Sequence, residues 1–98
     1  MFVKIHKSYR EVVAICDEDL IGKKFEEENL QLDMKESFFK GENLSNEKVL
    51  EIINDLSAED ATFNIVGQES INLAIRAGLI KKKNVKTIEG VPFALVLL

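Results

Sequence analysis

Cysteine and histidine each occur once in this chain, and their scarcity removes several chemistries. Cys16 has no second thiol to pair with, so an intramolecular disulfide and a cysteine metal cluster are both excluded. It lies in an apolar run with Val12, Val13, Ala14 and Ile15, and a reducing, cytoplasmic setting is expected. His6 and Cys16 together fall short of the nitrogen and sulfur ligands that a zinc site takes. No apolar stretch approaches the roughly 20 residues needed to span a bilayer, and MFVKIHKSYR lacks the apolar run of a signal peptide, so no membrane association is expected. Glycine is thinly spread, and the glycine-rich motifs that aim consecutive backbone N–H groups at a phosphate are absent.

What remains is an ordinary globular balance. Apolar residues make up 46% of the 98 and charged residues 31%, which fits one domain, residues 1–98, able to bury a core without disulfides or a metal. A formal charge of −4 argues against a surface built throughout for nucleic acid or an anionic membrane. It leaves room for a segregated basic patch.

Periodicity assigns most of the elements. Val3 and Ile5 alternate with Lys4 and His6 as in a half-buried strand, and the unbroken run from Glu11 to Cys16 reads as a strand covered on both faces. The polar turn Lys7 to Arg10 joins them in an antiparallel hairpin. Asp17 is placed to cap a short helix carrying Leu20, Ile21 and Phe25, which Gly22 weakens. Leu30, Leu32 and Met34 alternate with polar residues, predicting a strand that extends toward Phe38 and Phe39. Ser45 is an N-cap, and Val49, Ile52, Ile53 and Leu56 form one helical stripe behind it. Phe63 to Val66 is a strand, Gly67 a turn, and Ile71, Ala74 and Ile75 one face of a helix that Gly78 closes. Val85 to Ile88 and Val91 to Leu97 complete the chain as strands, with Pro92 tolerated at a strand start or on an edge.

Candidate chemistry is sparse. Gly67 precedes a helix as phosphate-binding glycines do, but it is alone, and Glu69 puts negative charge where a phosphate would sit. A plain turn and no bound nucleotide or other cofactor are expected. His6 shares a solvent-side row with Lys4 and has no neighbouring nucleophile or carboxylate partner in sequence, so no catalytic residue is assigned. The acidic runs Asp17 to Asp19 and Glu26 to Glu28 read as solvated faces, and no metal site is assigned to them. The basic residues carry more. Lys4, His6, Lys7 and Arg10 surround Tyr9 near the first turn, and Lys81, Lys82 and Lys83 gather near the other end of the chain. Brought together, they would make a patch able to grip a phosphate backbone and stack a base; kept apart, they only keep two loops soluble.

MFVKIHKSYREVVAICDEDLIGKKFEEENLQLDMKESFFKGE, IVGQESINLAIRAGLI and EGVPFALVLL together resemble the archaeal domain-of-unknown-function family 424, with LIGKKFEEENLQLDMKESFF the specific part. The resemblance covers essentially the whole chain and implies an archaeal cytoplasmic source and a link to translation. Where members of that family carry a histidine, this chain has Phe93, so the resemblance brings no two-histidine site with it.

The expected fold is a single compact α+β domain with a mixed or antiparallel sheet of about five to six strands and about three helices. The expected function is that of a non-enzymatic binding module contacting RNA or ribosome-associated proteins through Lys4, His6, Lys7, Tyr9, Arg10, Lys81, Lys82 and Lys83. A protein-interaction or homodimerising role is the alternative, because Leu95 to Leu98 leave the last strand little polar surface. A small enzyme would need a nucleophile or metal oriented by residues distant in sequence.

Overall fold

In the computed structural model, which describes residues 1–98, the turn at Lys7–Arg10 reverses the chain between strands β1 (Phe2–His6) and β2 (Val12–Cys16). They pair antiparallel from Phe2 opposite Cys16 to His6 opposite Val12, as the alternation predicts. Val13 to Cys16 are all buried, which is why this strand could lose the polar alternation of its neighbour.

The segment after β2 departs from expectation. Residues Glu18–Leu20 form a single 3-10 turn, Gly22 reverses the chain at φ +81°, and Lys24–Glu27 becomes strand β3 where a helix was expected. A two-residue turn at Glu28 and Asn29 folds β3 onto β4 (Leu30–Asp33), with Phe25 opposite Leu32. Leu20 is buried by the turn, and Phe25 pairs across the strands with Leu32 and packs on the same cluster, which accounts for the apolar residues that a helical stripe would otherwise have explained. β4 also stops short: Glu36–Phe39 is a one-turn helix, α1, in place of the predicted strand extension.

A two-residue strand, β5 (Glu42–Asn43), then pairs with the start of β1. Gly41 makes this close approach feasible, since a Cβ there would lie 2.0 Å from the Val3 carbonyl oxygen. Helix α2 (Asn46–Ser57) begins as predicted, with the Ser45 hydroxyl accepting from the Lys48 N–H at 3.3 Å. Strand β6 (Thr62–Val66) leads through Gly67 into α3 (Gln68–Arg76), and Gly78 follows at φ +78°. A 3-10 turn at Lys82–Asn84 precedes β7 (Lys86–Ile88) and β8 (Val91–Leu97).

The main sheet has the order β5-β1-β2-β6-β8-β7, and β3 and β4 form a separate small sheet. Only β2 and β6 run parallel, so the sheet is mixed. α2 and α3 cover one face, packing Ile53 and Ile71 over Val13, Ile15, Phe63 and Ile65. The other face is covered at one end, where Leu20, Met34 and Phe39 pack on Ala14, Cys16 and Val66. Its far end, around Thr62, Leu95 and Leu97, is left open.

Pro92 lies inside a central strand without breaking it. Gly67 N–H donates to the Pro92 carbonyl at 2.9 Å, while the Gly67 carbonyl accepts from Ile71 and begins α3. The carbonyl that would want a proline N–H is thus already committed to the helix.

Candidate functional site

The Gly67 helix terminus is built to hold an anion, and the anion is the protein's own. Asp17, 7% exposed, directs its carboxylate at α3 from the end of β2. Oδ1 accepts from the Ser70 N–H at 2.8 Å and from the Ser70 hydroxyl at 2.7 Å, and Oδ2 accepts from the Glu69 N–H at 3.1 Å. The sequence-based expectation that Asp17 caps its own following helix is therefore corrected, since the 3-10 turn at Glu18 receives no side-chain bond from it. Gly67 is required twice over: its φ is +108°, and a Cβ would lie 2.3 Å from the Asp17 carboxyl carbon. Glycine here turns the chain and clears room for a carboxylate that occupies the phosphate position.

Lys4 and His6 lie on one face of β1, as the alternation predicts, yet neither is free. The Lys4 ammonium donates to the Ser37 carbonyl at 2.8 Å, and His6 Nε2 sits 2.9 Å from the Phe38 carbonyl oxygen. The His6 ring also stacks on Phe38 with centroids 4.7 Å apart and planes 17° from parallel. These contacts hold α1 against the sheet. His6 is half-buried by them and does not stand in the open row that its neighbours in sequence imply.

Tyr9, by contrast, is fully exposed at the tip of the hairpin. A cleft of about 490 Å³ beside it is lined by Tyr9, Arg10, Glu11, Glu59 and Asp60, so carboxylates share the space with the arginine. Lys7 is exposed on the same turn. Arg10 reaches across to the Leu98 carbonyl at 3.4 Å, which brings the first basic cluster to the end of β8.

Lys81, Lys82 and Lys83 approach that strand from its other side. A second cleft, about 400 Å³, separates the loop from β8 and is lined by Ile80, Lys81, Lys83, Asn84, Leu95 and Leu97. The three lysines are exposed, and none forms an ion pair within 4.0 Å; Lys48 with Glu51 is the one such pair in the protein. The fold thus places Arg10 and the lysine loop on opposite flanks of β8, with its leucines between them, whereas Lys4 and His6 stay on β1, beyond β2 and β6, and are not brought to this strand.

The outer half of β8 is the feature that sequence reasoning approached but did not resolve. Gly67 and Pro92 form a hydrogen-bonded pair, so in this register Ala94 and Val96 turn their backbone groups toward β6, and Leu95 and Leu97 turn theirs away. β7 pairs only with Val91 to Phe93, and no loop bonds to the backbone of Leu95 or Leu97. Their side chains are 59% and 72% exposed on the open half of the sheet face. An aliphatic strand with an unpaired edge is legible only once the length of β7 is known.

No group of three or more His, Cys, Asp or Glu side chains is arranged to hold a metal ion. The acidic runs have structural uses. Glu89 accepts from the Glu26 N–H at 2.7 Å and donates its own N–H to Glu27 at 2.9 Å, tying the small sheet to the β7–β8 turn. Cys16 is buried, and burial, reinforced by the neighbouring Asp17 carboxylate, pushes its thiol up to about 12.

Against known families, the profile described as protein of unknown function, DUF424, matches residues 6–98. The chain belongs to that family. No curated protein matches it. Among solved structures, it is similar to an uncharacterised conserved protein from Methanopyrus kandleri, with a TM-score of 0.78 and 25% identity over 98% of this chain and 90% of that one. Within the family fold, His6 and Phe93 cannot share a site. His6 aligns across the sheet with Val12, Thr62 and Leu97, placing it three strands and four residues from Phe93, about 20 Å away. No helix is long and apolar enough to cross a membrane.

Proposed function

We propose that this protein is a non-enzymatic binding module whose contact surface is the outer half of β8 and the lysine loop beside it, and that the ligand is another protein. The observation that carries this reading is the unpaired backbone at Leu95 and Leu97, joined to two exposed leucine side chains. Exposed aliphatic surface on a sheet edge marks a place where another chain packs. The non-enzymatic part draws on how the reactive side chains are spent. His6 fastens α1, Asp17 caps α3, and Cys16 is buried with its proton held tightly.

The test compares cross-linked material recovered by the wild type with that recovered by a Leu95→Lys, Leu97→Lys variant, from a cell extract treated with ribonuclease. Both positions are exposed, so the variant should keep its melting temperature within a few degrees. The reading predicts a protein captured by the wild type and lost from the variant. Equal capture by both would contradict it.

RNA contact is the second reading, and a specific observation favours it. Arg10 on one flank of β8 and Lys81, Lys82 and Lys83 on the other bring separate basic clusters to one end of an acidic protein, with Lys7 and Tyr9 on the adjoining turn. Contact with a phosphate backbone there would weaken steeply with salt. RNA recovered by the wild type, and lost when Lys7 and Arg10 are both replaced by glutamate, would establish that reading over the first.

A further inference from the structure

We infer that the open half of β8 takes an additional β-strand from its partner, and that this strand is an extended peptide alternating apolar and acidic residues. The inference rests on the protein-contact reading above and adds to it the mode of binding and the chemistry of the ligand.

The mode follows from the backbone. Leu95 and Leu97 are separated by one residue, and each turns both its N–H and its C=O outward. That is the repeat an antiparallel neighbour needs to exchange paired hydrogen bonds with every second residue. The line β7 would follow if it continued is vacated by the 3-10 turn at Lys82–Asn84, which leaves the cleft alongside β8. Residues 94 to 97 carry none of the devices that blunt an edge: no charge, no proline and no bulge interrupts Ala-Leu-Val-Leu.

The ligand chemistry follows from what borders the cleft. Alternate side chains of an added strand point to opposite faces of the sheet. One set would lie beside Leu95 and Leu97 and should be apolar. The other set would turn toward the helix layer, where Ile80 is buried with α3 and Lys81 and Lys83 line the wall without ion-pair partners. Carboxylates at those positions complement the lysines.

A second copy of this chain is a poorer occupant. Its β8 would bring apolar Ala94 and Val96 to the positions where the lysines call for acid, and its own lysine loop would face this one. A nucleic-acid strand would satisfy the lysines but lacks the regular alternation of N–H and C=O groups that the outward backbone of Leu95 and Leu97 matches.

The experiment is a titration of isotope-labelled protein with a short capped peptide alternating glutamate and valine, read by amide chemical shifts and hydrogen exchange. Controls are the same peptide with lysine for glutamate, a version N-methylated on its hydrogen-bonding residues, and a short single-stranded RNA. The glutamate peptide should bind saturably, slow exchange at the Leu95 and Leu97 amides, and weaken roughly tenfold in a Lys81→Glu, Lys83→Glu variant. The lysine and N-methylated peptides should not bind. Absence of saturable binding, equal binding of the N-methylated peptide, or RNA binding that the glutamate peptide does not displace would each overturn the inference. Capture of a leucine-dependent protein with no binding of the glutamate peptide would sink strand addition while leaving the protein-contact reading intact.

Discussion

At the scale of single residues, Asp17 and Gly67 act as one unit. Replacing Gly67 by alanine introduces both a strained φ and a Cβ in contact with the Asp17 carboxylate, and should cost about 2 to 4 kcal/mol in chemical denaturation. Replacing Asp17 by alanine leaves the Ser70 hydroxyl and two α3 N–H groups without their acceptor and should cost about 2 kcal/mol. The two changes should not add. In the Asp17→Ala background the clash is gone, and Gly67→Ala should retain only the backbone strain, so strict additivity would refute the proposed contact. The sequence shows an aspartate after a strand and a glycine before a helix, but their meeting is a tertiary event. The parallel pairing that sets Cys16 opposite Val66 brings them together.

Cys16 makes a second prediction at this scale. Its folded-state pKa, raised from 9.0 to about 12, means that the native protein holds the thiol proton more tightly than the unfolded chain does. The resulting stability is fully present below about pH 9 and is lost as pH rises toward 12. Denaturation midpoints of the wild type should therefore fall more steeply than those of a Cys16→Ala variant across that window. At pH 8 a thiol reagent should modify the native protein far more slowly than the denatured one. Rapid native labelling would show that the strand is not closed on that face.

Among the elements, legibility tracked length and burial. α2 and α3 repeat their apolar stripe over several turns, and the buried runs in β2 and β6 are bounded by polar turns, so periodicity places them. Lys24–Glu27 carries one apolar residue, and α1 spans one turn, so neither has a period to read. The uses of Lys4 and His6 were hidden for the same reason, since both depend on carbonyls of α1. The stripe on α2 also turns out to be graded. Ile53 is buried and Ile52 half-exposed; on α3 Ile71 is buried and Ile75 half-exposed. Ile53→Ala and Ile71→Ala should each cost about 2 to 5 kcal/mol, and Ile52→Ala and Ile75→Ala distinctly less. Equal losses at all four positions would mean that the helices are rotated from the orientation described.

In the whole molecule, one helix terminus is closed and one sheet edge is open. The closed terminus predicts that ATP, GTP or NAD with magnesium leaves the melting temperature unchanged, because Asp17 already occupies the donors a phosphate would use. A saturable rise would show that the carboxylate can be displaced. The basic clusters were readable as clusters, but the approach of Arg10 and the lysine loop to β8, and the separation of Lys4 and His6 from it, were not, because both depend on strand order and on side-chain contacts distant in sequence. Amide hydrogen exchange in the free protein tests the open edge directly. Ala94 and Val96, turned toward β6, should exchange slowly, while Leu95, between them on the same strand, should exchange fast at every protein concentration. Slow exchange at Leu95 in dilute protein would mean that the chain covers the edge itself. Protection that grows with concentration would mean that a second copy does. Either result would contradict an edge held open for a different partner.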